Sequence, residues 1–482
     1  MAVAPLVAQT KFHVGRPNAF KSRLGLGTHK GSTDSDRKVA ERNSMWASLP
    51  PPAQGLKAIV VLPARNEAAH LPASLAALAA QAGMDGSPLD RAGFEVILLA
   101  NNCGDASAAI ARRFAAAHRG LRLHVVETTL PPAQANIGYV RRLLMDEAAT
   151  RLESIGCPEA AIVSTDADTR VAPDWLAANL RELAAGSDAV GGRILTDDSV
   201  RPSPAALRIR RIDAAHALLR SRLASLLDPR PFDPWPCHHQ HFGASLAVTA
   251  RAYRLAGGVP DVPYLEDDAL VRALERVDLR VRRSPHARVT TSSRLDGRAA
   301  VGLSWQLRQW AHLTTNHHDP LVENPHRYAM ALTVRALLRQ LWQRHGAALA
   351  SSLPAGIDAR LNLCAGTIGR LAEAAPAFGA LWQELEIQAS SASASKSQLG
   401  PPRGPPLVPI SQALGVLRDL IQREQAASMP ALCAVPAISE VSNVSAAFAA
   451  SAANAAAAVP IVAGPGLGLG LGFQRASNTS IR

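Results

Sequence analysis

Cysteine, lysine and aromatic residues are all scarce in this 482-residue chain, and each scarcity excludes a class of protein. The five cysteines, at 103, 157, 237, 364 and 433, form neither a paired framework nor a C-x-x-C. That sets aside a disulfide-stapled secreted scaffold and a zinc ribbon. Lysine occurs only at 11, 21, 30, 38, 57 and 396, so the formal charge of +12 is carried by arginine, with no long polybasic run. Aromatics make up 4% of the chain, too few for a base-stacking platform. The charge therefore reads as arginine bias with a small anionic ligand, and not as a nucleic-acid surface. No apolar h-region follows a basic start, so no secretory signal is read.

What is present is an apolar share of 48%, ample for a core. Residues 1–55, rich in Gly, Ser, Arg and Pro and ending in Leu49-Pro50-Pro51-Pro52, read as a disordered leader. From 57 onward short apolar runs alternate with amphipathic stretches. Strands are expected at Ala58–Leu62, Glu95–Leu99, Leu121–Val126 and Ala161–Ser164, with helices over 67–81, 105–118 and 137–155 between them. Ala244–Val248 and Val281–Val289 add strand-like segments around a helical Asp267–Glu275. The pattern predicts an α/β fold with a mainly parallel sheet covered on both faces, and a ligand site at the carboxyl ends of the strands. Residues 311–388 read as a helical appendage, and 389–482 as a low-complexity tail without folded structure. The uncharged stretch Val441–Gln474 is dominated by Ala, Ser, Asn, Gly and Pro, a poor composition for a membrane span.

The chemistry gathers at strand ends. Thr165-Asp166-Ala167-Asp168 closes the fourth strand, and carboxylates at i, i+2 there can share one hard cation and the diphosphate bound to it. Pro63-Ala64-Arg65-Asn66-Glu67 follows the first strand, and Asn101-Asn102-Cys103-Gly104-Asp105 the second. These clusters serve equally as helix caps or as anion-binding helix starts. Glu266-Asp267-Asp268 opens a helix, where the dipole favours acids and where a carboxylate can take a proton from a hydroxyl.

Taken together, Val-Val-Leu-Pro-Ala-Arg-Asn-Glu at 60–67, Asn-Asn-Cys-Gly-Asp-Ala-Ser at 101–107, Asp-Ala-Asp at 166–168, Phe-Gly-Ala-Ser at 242–245, Gly-Gly-Val-Pro at 257–260 and Glu-Asp-Asp at 266–268 resemble an inverting, non-processive, bacterial-type glycosyltransferase of family 2. The resemblance covers 57 to about 310. It implies a GT-A fold over 56–310, a mixed, mainly parallel sheet with flanking helices and a C-terminal helical segment. It also implies metal-dependent transfer of one sugar from a UDP- or GDP-sugar to an acceptor hydroxyl. Pro63, Ala64, Arg65, Glu67, Asn101, Asp105 and Asp166 would then line the nucleotide pocket. Asp168, Asp166 and His286 would hold Mn²⁺ or Mg²⁺. Asp267 would be the catalytic base, with Glu266 its neighbour. A cytoplasmic protein with possible loose contact to an anionic membrane surface, and no nucleic-acid partner, completes the expectation.

The chain departs from the family pattern at two positions. Ala100 stands where an acid often reads the base, and Gln306-Leu307-Arg308-Gln309-Trp310 has Gln309 in place of the arginine of processive members. Arg294 and Arg298 are candidates to bind phosphate from a lid. Cys237-His238-His239-Gln240-His241 sets four soft ligands in five residues. A loop this short rarely wraps all of them around one zinc, and its place before the acceptor-binding segment favours an acceptor-facing role. His317 and His318 are weaker candidates. A nucleotidyltransferase or dinucleotide enzyme would need glycines after the first strand, which Pro-Ala-Arg-Asn-Glu lacks. A catalytically inactive binding protein on the same fold is the other alternative.

Overall fold

The structure, a computed structural model, describes residues 44–197, 203–297, 301–315, 319–394 and 406–428. The expected alternation is present. The chain runs β1 (Ala58–Ala64), α1 (Leu71–Ala79), β2 (Phe94–Asn101), α2 (Ser107–Ala117), β3 (Leu123–Thr128), α3 (Ile137–Ser154) and β4 (Ala161–Ser164). It continues through β5 (Thr169–Val171), α4 (Trp175–Ala184), β6 (Ala189–Thr196), α5 (Pro204–Leu227), β7 (Leu246–Thr249), α6 (Ala250–Leu255), α7 (Glu266–Arg276) and β8 (Val281–Thr291). A helical segment follows, with α8 (Leu303–Thr315), β9 (Leu321–Glu323), α9 (Pro325–His345), α10 (Ile357–Arg360), α11 (Thr367–Ala374), α12 (Phe378–Ala394), β10 (Leu407–Pro409) and α13 (Ile410–Ser428).

The eight-stranded sheet has the order β3-β2-β1-β4-β7-β6-β8-β5. Its first four strands pair in parallel; β7 lies antiparallel to β4 and to β6, and β5 antiparallel to β8. This is the mixed, mainly parallel sheet that the resemblance implies. β1 runs through Pro63, which lies beyond the last β1–β4 pair, Val61↔Ser164, where the strand keeps one neighbour and a missing N–H is tolerated. Both sheet faces are buried. On one, Leu71, Leu75, Trp175 and Leu176 pack against Val60, Leu62 and Val163; on the other, Leu144, Tyr253, Leu270 and Leu274 pack against Ile59, Val61 and Ile162. Strands buried on two faces must be apolar throughout, which is why they read as runs in the sequence.

Both ends of the fold extend further than expected. In the presumed leader, Trp46 is buried in the second core, and Arg151 donates to the Pro50 carbonyl at 2.9 Å. In the presumed tail, β10 pairs with β9, and α13 sets Leu417 and Ile421 against Leu223 of α5 and Leu332 of α9, and Ala413 against Val322 and Val408. Spacing of i, i+4, i+8 is one helix face, and its burial stabilises a segment whose flanks look unstructured. The rest of both stretches lies outside the described residues. No described helix is long and apolar enough to cross a membrane.

Leu417 is fully buried. Leu417→Ala is expected to cost about 2–5 kcal/mol, read as a lower denaturant midpoint at unchanged slope. An unaltered midpoint would show that α13 does not belong to the cooperative unit.

Candidate active site

The carboxyl ends of β1, β2 and β4 and the start of α7 converge. The β4 end delivers Asp166 and Asp168, the loop after β1 delivers Glu67, and the first turn of α7 delivers Glu266, Asp267 and Asp268. Leu265 enters α7 in the left-handed region, φ 56°, and no side chain caps the helix. The three acids therefore complement its exposed N–H groups.

Two arginines organise these acids. Arg141, on α3, is nearly inaccessible, its side chain 3% exposed. Its Nε donates to Glu266 Oε1 at 2.7 Å and its Nη2 to Asp166 Oδ1 at 2.9 Å. Its Nη1 donates to the Gly243 carbonyl at 3.1 Å and also to Ser164 Oγ. Burial alone would lower the Arg141 pKa, but Asp166, Glu266 and Asp267 outweigh it and hold it above its usual range. Gly243 has a steric reason to be glycine: a Cβ there would sit 2.4 Å from the Arg141 guanidinium. The second arginine, Arg294, follows β8. It donates to both oxygens of Glu67, at 2.7 and 2.9 Å, and lies 2.8 Å from Asp168 Oδ2. His70 Nδ1 also meets Glu67, at 3.1 Å.

The acids still outnumber the cations. Burial, and next to it Asp166, push the Asp168 carboxyl up to about 6 in spite of Arg294. Burial and Asp267 likewise raise Glu266 against the pull of Arg141. Asp267 Oδ2 accepts from Gly243 N at 2.7 Å and its Oδ1 from Asp268 N at 2.8 Å, while Asp268 pairs with His241 at 3.0 Å. The donor set at Asp166 and Asp168, carboxylate oxygens under an excess of negative charge, fits a hard divalent cation. Among the described residues no group of three or more His, Cys, Asp or Glu could hold a metal by itself. Further ligands would have to come from substrate and water.

Glu67, Asp166, Asp168, Glu266 and Asp267 are thus brought together; the other expected site residues are placed differently. Pro63 and Ala64 are buried in β1, and Asn101 is buried at the end of β2. Arg65 reaches over the loop to the Ala135 carbonyl at 3.0 Å. Asp105 ties two loops together: its Oδ2 accepts from Ala68 N at 3.0 Å, and its Oδ1 from Ser107 N and Oγ at 3.0 and 2.5 Å. His286 does not lie beside Asp166 and Asp168. β8 pairs Ser284 with Gly192 and Arg288 with Arg193, so Pro285-His286-Ala287 bulge out of the ladder, Pro285 having no N–H to donate. His286 is exposed and its charged neighbours are Arg181, Glu182, Arg282 and Arg288. It stands five positions before Thr291, the residue whose Oγ1 lies 3.4 Å from Asp168, or roughly 16 Å at strand rise. Arg298, His317 and His318 lie outside the described residues.

The histidine loop folds as separate contacts. His238 Nε2 donates to the Ser284 carbonyl at 3.0 Å, and its Nδ1 accepts from Gln240 N at 3.1 Å. The Gln240 side chain spans the Ile194 N–H and carbonyl at 2.8 and 3.1 Å, mimicking a strand partner. His241 turns instead to Asp268. No zinc geometry results. Arg141 is the residue that the sequence concealed; its only signal is a charge set among the apolar positions Val140, Leu143 and Leu144 of α3.

Residues 59–243 match the family model described as Glycosyl transferase family 2. No curated protein matches the chain. Among solved structures, S. aureus TarS 1–349 in complex with UDP-GlcNAc is 14% identical, with 73% of this chain and 96% of that one covered, at a TM-score of 0.37. The mannosyltransferase PcManGT from Pyrobaculum calidifontis, in complex with GDP-Man and Mn²⁺, is 17% identical over 75% and 95%, at 0.35. Glucosyl-3-phosphoglycerate synthase from Mycobacterium tuberculosis, in complex with UDP, is 16% identical over 58% and 84%, at 0.31.

Replacing Arg141 with Met removes one partner from a buried charge cluster and is expected to cost about 3–5 kcal/mol of unfolding free energy, with Arg141→Lys losing less. Equal stability of all three proteins in urea would refute the central role given to this residue. A second expectation concerns the histidines. Burial, opposed by the Ser284 carbonyl, brings His238 down to about 3; burial and then Arg220 bring His216 down to about 4. Folded values below the unfolded one mean that each contributes stability above pH 6.5 that is lost as pH falls through the folded value. Imidazole nitrogen shifts of both should stay those of the neutral ring from pH 8 to pH 5, and a midpoint near 6.5 would contradict their burial.

Proposed function

We propose, from the premise that this chain is a family 2 glycosyltransferase over residues 59–243, that it transfers one sugar from a nucleotide-diphosphate sugar to an acceptor hydroxyl with inversion. The observation that carries this reading is the linkage of Asp166 to Glu266 through a single buried guanidinium, which fixes the diphosphate-binding acids relative to the first turn of α7.

The chain's own groups divide the work. Asp267 is fixed by two backbone N–H groups, one on each oxygen, and each oxygen keeps a lone pair for a hydroxyl proton. As the acceptor oxygen bonds to the anomeric carbon, the bond from that carbon to the diphosphate breaks. The proton passes to Asp267 and the electron pair leaves with the nucleoside diphosphate. Attack opposite the leaving group gives inversion. Glu266, locked on Arg141, holds the α7 turn in place. Arg294 is placed to exchange Glu67 and Asp168 for the diphosphate oxygens. Asp166 and Asp168 are the residues that would hold Mn²⁺ or Mg²⁺, which when bound supplies charge neutralisation for the leaving diphosphate. Gln309 in place of the processive arginine supports single addition. UDP and GDP remain equal candidates for the donor, since Ala100 offers no acid to read a base. The +12 charge supports an anionic substrate, and a cytoplasmic setting with peripheral membrane contact is compatible with it.

The test uses a panel of UDP- and GDP-sugars with Mn²⁺ and a mixed acceptor pool. Asp267→Asn is expected to lower kcat by about 10²–10⁴ while nucleotide affinity, measured by calorimetry, is retained. Normal turnover by the variant would remove Asp267 as the base. A wild-type protein that binds nucleotide yet turns over no donor would instead favour the inactive binding protein.

A further inference from the structure

Three carboxylates stand in succession in the first turn of α7, and each has its own holder. Glu266 rests on Arg141, and Asp267 on the N–H groups of Gly243 and Asp268 at 2.7 and 2.8 Å. Asp268 meets His241, whose Nε2 lies 3.0 Å from its Oδ1. Among the described residues Asp267 has no hydrogen bond beyond those two N–H groups. The contacts close a ring. His241 and Gly243 lie two positions apart on one loop, and Asp267 and Asp268 are adjacent on one helical turn. The loop therefore touches the turn at two points. A carboxylate gripped from two pieces of chain keeps its direction only while those pieces keep their spacing, and the His241–Asp268 contact is the second strut that sets it.

The loop side of this ring is fixed to the sheet. A Cβ on Gly191 of β6 would lie 2.7 Å from the Gln240 carbonyl and 2.9 Å from His241 Cα, so the loop backbone rests directly on the strand. The Gln240 side chain bonds the Ile194 N–H and carbonyl at 2.8 and 3.1 Å. The α7 side has less support, for Leu265 enters the helix at φ 56° and no side chain caps it. A loop seated on the sheet thus steadies a turn that lacks a cap.

His241 is built to brace and not to carry a proton to or from a substrate. Its Nε2 is taken by Asp268, and its Nδ1 is buried without a partner, so neither nitrogen is left for a ligand. The side chain is 15% exposed and packs beside Phe242, ring centroids 5.4 Å apart. An unsatisfied buried nitrogen costs stability, and a role in packing alone would be served better by an apolar side chain. What the imidazole adds is the contact with Asp268.

We infer that His241 is a positioning residue of the transfer site: by holding Asp268 it keeps the Asp268 N–H on Asp267 and the Asp267 carboxylate aimed at the acceptor hydroxyl. The inference rests on the glycosyl-transfer reading, in which Asp267 is the base. Without His241 the turn is tied to the loop through the Gly243 N–H alone. The loss falls on turnover and not on nucleotide binding, because Asp166, Asp168 and Arg294 make no contact with His241 among the described residues.

The test compares His241→Ala, His241→Gln, Asp268→Ala and the double variant His241→Ala/Asp268→Ala in the full chain. Glutamine can place an amide N–H near the position of the imidazole Nε2, and alanine cannot. With the panel of UDP- and GDP-sugars and Mn²⁺, kcat of His241→Ala is expected to fall about ten- to hundredfold. Affinity for UDP and GDP by calorimetry should stay within about twofold, and His241→Gln should recover most of the lost kcat. The double variant should be no slower than the slower single one, since both remove the same contact. Additive losses, an unchanged kcat, or a glutamine variant as slow as the alanine one would overturn the inference. Amide hydrogen exchange reads the clamp without any turnover. Exchange at the Gly243 and Asp268 amides should quicken about tenfold in His241→Ala and return towards wild type in His241→Gln. Unaltered exchange at both amides would overturn the clamp whatever the enzyme turns over. Exchange that responds as expected, in a wild-type protein that turns over no donor, would instead remove the transfer reading and leave the clamp.

Discussion

One buried guanidinium holds this site in register. Arg141 reaches four acceptors on three separate pieces of chain: Ser164 and Asp166 at the end of β4, the Gly243 carbonyl before β7, and Glu266 at the start of α7. Each piece depends on it differently. Asp166 has its carboxylate oriented by it. Gly243 gives up a side chain to admit it, and in return aims its own N–H at Asp267. Glu266 could not sit ionised so far from water without it. A planar, permanently charged fork is suited to this task, because its donors leave in fixed directions and a lysine would satisfy one of them at a time.

The second consequence concerns charge. On the proposed reading the site takes a diphosphate, which would seem to call for cations, yet acids dominate it. The excess is resolved in layers. Arg141 neutralises the acids at the back, where it is permanently enclosed. Arg294 neutralises those at the front, Glu67 and Asp168, from a loop where its side chain is partly exposed. The front cation is exchangeable and the back one is not. On the proposed reading, an arriving diphosphate would draw Arg294 away from Glu67 and Asp168, and the ligand would replace protein as its partner. Association by exchange keeps the unliganded site folded at a cost the ligand later offsets.

The fold was legible in the sequence because strands buried on two faces must be apolar along their length, and β1, β2 and β4 announce themselves as such runs. The meeting of Asp166 and Asp168 with Asp267 was legible because all follow from where strands and helices end. Three things were not. Arg141 appears in sequence as one more arginine in an arginine-rich chain; its partners lie 25 and 125 positions away, and no local pattern encodes such contacts. His286 was misplaced because a three-residue bulge in β8 changes the register, and bulges leave little trace beyond Pro285. The helix α13 was hidden by its surroundings: Ala413, Leu417 and Ile421 have clear helical spacing, but the low-complexity composition on either side outweighed three residues.

The helices beyond β8 bear on the site. The segment after β8 reads as an appendage, yet its contacts run into the sheet domain. Asp228, at the end of α5, is fully enclosed and is held by Arg335 at 2.5 Å and by Arg339 at 2.9 Å, both on α9. Asp278, just beyond α7, accepts from the N–H groups of Phe378 and Gly379 at 2.9 and 2.7 Å, and α12 comes so close that a Cβ on Gly379 would strike the Glu275 carbonyl. The helices therefore grip the two ends of one stretch, 228–278, which contains the histidine loop, Gly243 and the acids of α7. Breaking a buried pair such as Asp228–Arg335 would leave a charge without its partner, so these helices are energetically tied to the sheet domain. The histidine loop, Gly243 and the acidic turn of α7 are consequently braced by helices that lie outside the family-matched residues 59–243.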